Sequence, residues 1–97
     1  MIIYDADMKD PVIDLVVEIC VKNYLLMKNE QTIFDSIEKF FMSLAQTIKQ
    51  TLDQQQESGN KWQVITGLNY GSFVTHESFY FVHFSYDNVF FTVFISS

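Results

Sequence analysis

The chain has 97 residues, 48% of them hydrophobic and 16% aromatic, ten being phenylalanine. That suits one domain over 1–97, is too apolar for disorder, and is small enough that a second copy would help bury its surface. Twelve acidic against six basic residues leave a net charge of −6, which offers no basic face for nucleic acid and no attraction to an anionic membrane.

In chain order, "MIIYDAD" at the N-terminus reads as a short strand ended by acidic residues. No basic region precedes it, Asp5 and Asp7 come too early for a signal peptide, and no apolar run is long enough to span a bilayer. The expectation is a soluble, cytosolic protein. Asp10 and Pro11 then give an N-cap and a first helical residue. Val12, Ile13, Val16, Val17, Cys20 and Tyr24 recur at helical spacing, thickened by Leu15, Ile19 and Leu26, and Asn29 offers a stop. Cys20, the one cysteine, fits a buried small hydrophobe in a reducing compartment.

A second helix is expected to start at Thr32 or Asp35, with Glu38 completing a capping box. Its stripe runs through Ile33, Ile37, Phe40, Phe41, Leu44, Ile48 and Leu52 to about Gln56, roughly 35 Å of helix. From Lys61 the period changes to that of strands. "KWQVITGL", "YGSFVTHE", "FYFVHFSY" and "VFFTVFIS" are rich in aromatic and β-branched residues. Asp87-Asn88 makes a tight hairpin between the last two, and Gly67 with Asn69 marks the first turn. The order is β-α-α-β-β-β-β, an α+β fold with two helices packed on an antiparallel sheet.

Strand alternation divides the last hairpin into two faces. Tyr80, Val82, Phe84 and Tyr86 lie on one side of the first strand and Phe79, Phe81, His83 and Ser85 on the other; in the second, Val89, Phe91, Val93 and Ile95 alternate with Phe90, Thr92 and Phe94. Two helices cover one face, and the second is too apolar to leave in water, so a second copy is the simplest cover.

"GSFVTHE" contains the parts of a nucleophilic triad in Ser72, His76 and Glu77. On a strand, Ser72 and His76 stand about 13 Å apart, and Glu77 points to the opposite face, so no nucleophile–base contact forms. His76 and His83 lack the further ligands zinc requires, and Gly67 and Gly71 lack a strand-to-helix context for phosphate. The sequence implies no catalytic residue, metal or cofactor. A small hydrolase using His76 is the remote alternative. What remains is a strand edge of Ser72, Thr75 and His76 able to accept an extended peptide, over which composition alone favours an ordinary internal strand.

The stretch from Trp62 to Glu77, with its "NYGSFVTHE" block, and the opening "IIYDADM" resemble the smallest class of dynein light chains, which are dimeric hub proteins. That resemblance implies a strand-swapped homodimer in which the 71–77 strand crosses to the sister sheet. It also implies two grooves that take short linear motifs, often of Thr-Gln-Thr type, as an added strand. By the resemblance, Asn69, Tyr70, Gly71, Ser72, Phe73, Val74, Thr75 and His76 form the peptide-pairing edge, and Phe81, His83, Ser85 and Phe90 line the groove. Trp62, Gln63, Val64, Ser72, Val74 and Ser96 belong to the dimer interface on the same grounds. Implied partners are the dynein intermediate chain and other motif-bearing proteins, in the cytoplasm on microtubule-associated dynein or in an axoneme. An arm-specific axonemal paralogue with a narrowed groove and a separate helical docking surface is the runner-up.

The departures from the family pattern carry their own expectations. His83 and Ser85 stand where tyrosines are usual, which implies a more polar groove floor and weak binding of Thr-Gln-Thr peptides. His83 could also make binding pH-sensitive, while Gln63 stands where relatives carry a dimer-loosening histidine. Ser96 lies near a position phosphorylated in some relatives. An insertion of about eleven residues, three helical turns, falls around residues 25–41. Leu25, Leu26, Phe34, Ile37, Phe40 and Phe41 could zip it into a longer helical hairpin or leave a docking patch.

Overall fold

The computed structural model describes residues 1–55, 61–68 and 80–96, the side chains of 31, 32 and 96 excepted. Its elements are β1 (Ile2–Ala6), α1 (Asp10–Met27), a 3-10 turn (Lys28–Ile33), α2 (Ile37–Gln55), β2 (Lys61–Gly67), β3 (Phe81–Tyr86) and β4 (Val89–Ser96). The strands form one antiparallel sheet in the order β1-β3-β4-β2, with both helices packed on one face. The α+β class expected from the sequence is the one observed. The strand expected at 70–77, and with it the Ser72–His76–Glu77 question, lies outside the described residues.

Both helix starts differ from expectation. The Lys9 carbonyl accepts hydrogen bonds from Val12 and Ile13 at 2.9 and 3.0 Å, so Lys9 is the N-cap and Asp10 is already helical. Asp10 still suits its place, because a carboxylate in the first turn complements the helix dipole. At the other end Lys28 stays in the right-handed region (φ −61°, ψ −28°). The chain therefore tightens into the 3-10 turn and does not stop at Asn29. Neither Thr32 nor Asp35 opens α2. Ser36 does: its Oγ accepts the Lys39 N–H at 3.2 Å, while Asp35 bonds the Lys39 ammonium at 3.0 Å. α2 is consequently 19 residues long, about 28 Å and not the expected 35 Å.

The core lies between the helices and the inner face of the sheet. Val16, Ile19, Cys20 and Tyr24 of α1 meet Phe40, Phe41, Leu44, Ile48 and Leu52 of α2 over Trp62, Val82, Phe84, Phe91 and Val93. Phe84 and Phe91 stack at 4.9 Å with an 8° tilt, and Tyr24 meets Phe91 edge-on at 6.4 Å. Burial pushes the Cys20 thiol well above its ordinary pKa, so it sits as an inert apolar group. Within residues 25–41 the apolar residues divide. Phe34 packs edge-on against Phe40 at 5.6 Å, and Phe40 against Phe41 at 5.4 Å, whereas Leu25, Leu26 and Ile37 are exposed.

Asp87 and Asn88 take φ values of 54° and 64°, the paired left-handed geometry that the twist of a two-residue hairpin favours. This tip is tied to α1. The Tyr24 hydroxyl donates to Asp87 Oδ2 at 2.8 Å, and Lys28 Nζ lies 4.0 Å from the same oxygen. Burial first, and then the Asp87 carboxylate, push the Tyr24 phenol up to about 12. A phenol raised above its unfolded value of about 10 stabilises the fold below that pH and loses this contribution as pH rises toward its folded value. Tyr24→Phe should cost about 1 kcal/mol at neutral pH by urea denaturation. It should also remove part of the stability loss seen in the wild type between about pH 10 and 12.

Candidate strand-pairing edge and outer sheet face

β2 is the last strand of the sheet. Its inner side pairs with β4 from Lys61↔Ser96 to Gly67↔Phe90, and no described strand lies on its other side. Alternation then sorts its side chains. Trp62, Val64 and Thr66 point to the helices; Gln63 and Ile65 point to the outer face. Trp62 is only 1% exposed, taken up by the protomer's own core. Its indole N–H has no hydrogen-bond partner among the described residues. Val64 packs against that core, and the Thr66 hydroxyl donates to the Phe41 carbonyl at 2.9 Å, pinning the strand's end to α2.

Alongside this edge runs a groove of about 610 Å³, walled by Ile37, Glu38, Phe41, Met42 and Ala45 of α2 and by Val64, Thr66 and Leu68, so it is apolar with two polar residues in its wall. Met42 and Leu68 are 71% and 54% exposed, so apolar surface flanks an edge with no described strand beside it. The helical period flagged Ile37 and Phe41. Met42 and Ala45 lie just off the buried stripe, and nothing local marks them as groove residues.

The face opposite the helices carries the other expected site residues. Phe81 pairs with Phe94, His83 with Thr92 and Ser85 with Phe90, so the three strand pairs bring these side chains together on one surface. His83 Nδ1 lies 3.1 Å from Thr92 Oγ1, its ring is 5.0 Å from that of Phe81, and Phe81, His83 and Phe90 are half-buried. Ser85 shares a 3.2 Å hydrogen bond with the Tyr4 hydroxyl, and Tyr4 lies 5.9 Å from the Phe90 ring. Tyr4 and Asp5 reach this cluster through an irregularity in the β1–β3 register between Ile3 and Asp5, which sets Asp5 opposite His83. The sequence pattern hid both residues, since a bulge breaks simple alternation.

Asn69 to His76, including Ser72 and Val74 of the expected dimer interface, lie outside the described residues, as does the Ser96 side chain. Among the described residues no three His, Cys, Asp or Glu side chains are grouped to hold a metal ion. None of the described helices is long and apolar enough to cross a membrane.

Two helices on one face of a four-stranded antiparallel sheet, with a largely aromatic second face, define a small α+β domain. Comparison with known families specifies it further: the model described as "Dynein light chain type 1" matches residues 1–96. The chain belongs to the dynein light chain family. It is 42% identical over 62 residues to a Saccharomyces cerevisiae protein named "Dynein light chain 1, cytoplasmic", a match covering 62% of this chain and 65% of that one. It is 46% identical over 56 residues to a Kluyveromyces lactis protein of the same name, covering 58% and 62%. An Emericella nidulans protein named "Dynein light chain, cytoplasmic" is 38% identical over 52 residues, covering 52% and 53%. The chain thus matches between 53% and 65% of the length of these relatives.

Desolvation lowers the His83 pKa, and the charge of Asp5 only partly offsets it. A histidine depressed in the fold is neutral there, so the unfolded chain takes up the proton first and acid destabilises. The urea midpoint should fall as pH drops below about 6.5, the unfolded histidine value. His83→Tyr should make the curve shallower in that window; an unchanged slope would remove His83 as the cause.

Proposed function

We propose that this chain is a non-catalytic, cytoplasmic dynein light chain that works as a dimeric adaptor. Two copies exchange the 70–77 strand, each laying it beside the partner's β2, and the exchanged strand's far edge accepts a client's short linear motif. The observation that carries this reading is β2 at the border of the sheet, with no described strand on its outer side. Family membership and the relatives' cytoplasmic names support it. Asn69 to His76 then supply the main-chain pairing, and Phe81, His83, Ser85 and Phe90 the floor. The clients are the dynein intermediate chain and other motif-bearing proteins. Two identical grooves per dimer hold a bivalent client through effective concentration, without a strong single site. The arm-specific axonemal reading draws support from Leu26 and Ile33, 67% and 72% exposed on the helical hairpin.

Sedimentation equilibrium should give a dimer at pH 7 that persists at pH 5, because Gln63 carries no titrating proton. A monomer at high concentration at pH 7 would overturn the reading. By titration calorimetry a Thr-Gln-Thr peptide should bind no tighter than about 10 μM, ~7 kcal/mol, across a floor containing His83 and Ser85. The His83→Tyr/Ser85→Tyr double variant should bind it more tightly, and tight wild-type binding would contradict the assigned floor.

A further inference from the structure

The opposite border of the sheet carries a second surface, independent of the strand-exchange reading. β1 pairs with β3 on one side and has no described strand on the other. Its N-terminal end is unusually apolar for such a border: Met1, Ile2 and Ile3 are 62%, 57% and 44% exposed. Edge strands ordinarily discourage pairing with lysine, proline or irregular geometry. Here those defences sit at the far end only. The register slips between Ile3 and Asp5, and the Asp5 carboxylate accepts the Ala6 N–H at 2.9 Å. The Ile2–Ile3 end has neither lysine nor proline.

A cleft of about 340 Å³ lies between that end and α1, with Ile3, Ile13, Val17 and Val21 among its walls and Asp14 and Glu18 at its rim. Asp10, Asp14 and Glu18 follow one another at four-residue spacing, so α1 presents an exposed acidic line beside half-buried apolar residues. The geometry points to a second docking site that takes an extended, basic segment of another protein. The segment adds to the Ile2–Ile3 end of β1, seats a branched apolar side chain over Ile13 and Val17, and sets lysine or arginine against Asp14 and Glu18. Charge selects this occupant over a second copy of the chain. A two-fold β1–β1 contact would bring the acidic lines of two α1 helices toward each other, and like charges facing across a contact oppose it.

The test is fluorescence anisotropy on the full chain at low salt, with a labelled octapeptide of alternating valine and lysine and a serine–lysine octapeptide of equal charge. The valine peptide should bind saturably and at least tenfold more tightly than the serine peptide. Asp14→Lys/Glu18→Lys, at exposed positions, should weaken it at least tenfold, and so should Ile3→Asn. Both variants should retain the wild-type circular dichroism and thermal midpoint within a few degrees. No saturation by about 1 mM peptide, equal binding of the two peptides, or indifference to Ile3→Asn would each overturn the site. Wild-type association beyond a dimer that Ile3→Asn abolishes would overturn it too, in favour of a second copy.

Discussion

The fold is organised by a sheet with aromatic side chains on both faces, one of which is covered by the two described helices. β3 and β4 place Val82, Phe84, Phe91 and Val93 on one side, each fully buried. The same alternation places Phe81, Phe90 and Phe94 on the other. Removing apolar surface from water is worth about 25 cal/mol per Å², so a chain this short gains much by covering the second face. The alternation that builds the core therefore also sets the aromatic second face on which the proposed association rests.

The remaining elements arrange how that demand is met. α2 lies across β2, and Thr66 ties the strand's end to the helix, so the sheet's border stands beside a groove already walled by apolar side chains. At the hairpin tip, the Tyr24–Asp87 contact fixes β3 and β4 against α1. The helices thus rigidify one surface, and the proposed recognition uses the other surface and the borders. Main-chain pairing at a border supplies affinity with little sequence demand, and the side chains beside it supply specificity. In that setting His83 and Ser85, joined to Thr92 and Tyr4 by hydrogen bonds, make a polar band across an otherwise aromatic floor.

Much of this was legible in the sequence because strands and helices write their period into it. The alternation through Val82, Phe84, Phe91 and Val93 separated the two sides of each strand, though not which side the helices cover, and Asp87-Asn88 marked the hairpin, since few other pairs accept two positive φ values. The ends of the helices were harder. Lys9, Asp10, Thr32, Asp35 and Ser36 all lie near a helix start, and the cap is chosen by which backbone groups align in the packed molecule. The groove wall at Met42 and Ala45, the Tyr24–Asp87 tie and the β1 irregularity that brings Tyr4 and Asp5 to His83 depend on contacts distant in sequence. No local pattern encodes them.

The central claim is that β2 borders another chain in solution. Hydrogen exchange followed residue by residue over 61–67 tests it most directly, because the amides facing away from β4 are bonded only if a further strand lies there. The account requires those amides to be protected at high protein concentration and to exchange faster on dilution, while the amides bonded to β4 change much less. Fast exchange of the outward amides at every concentration, beside slow exchange of the inward ones, would contradict it.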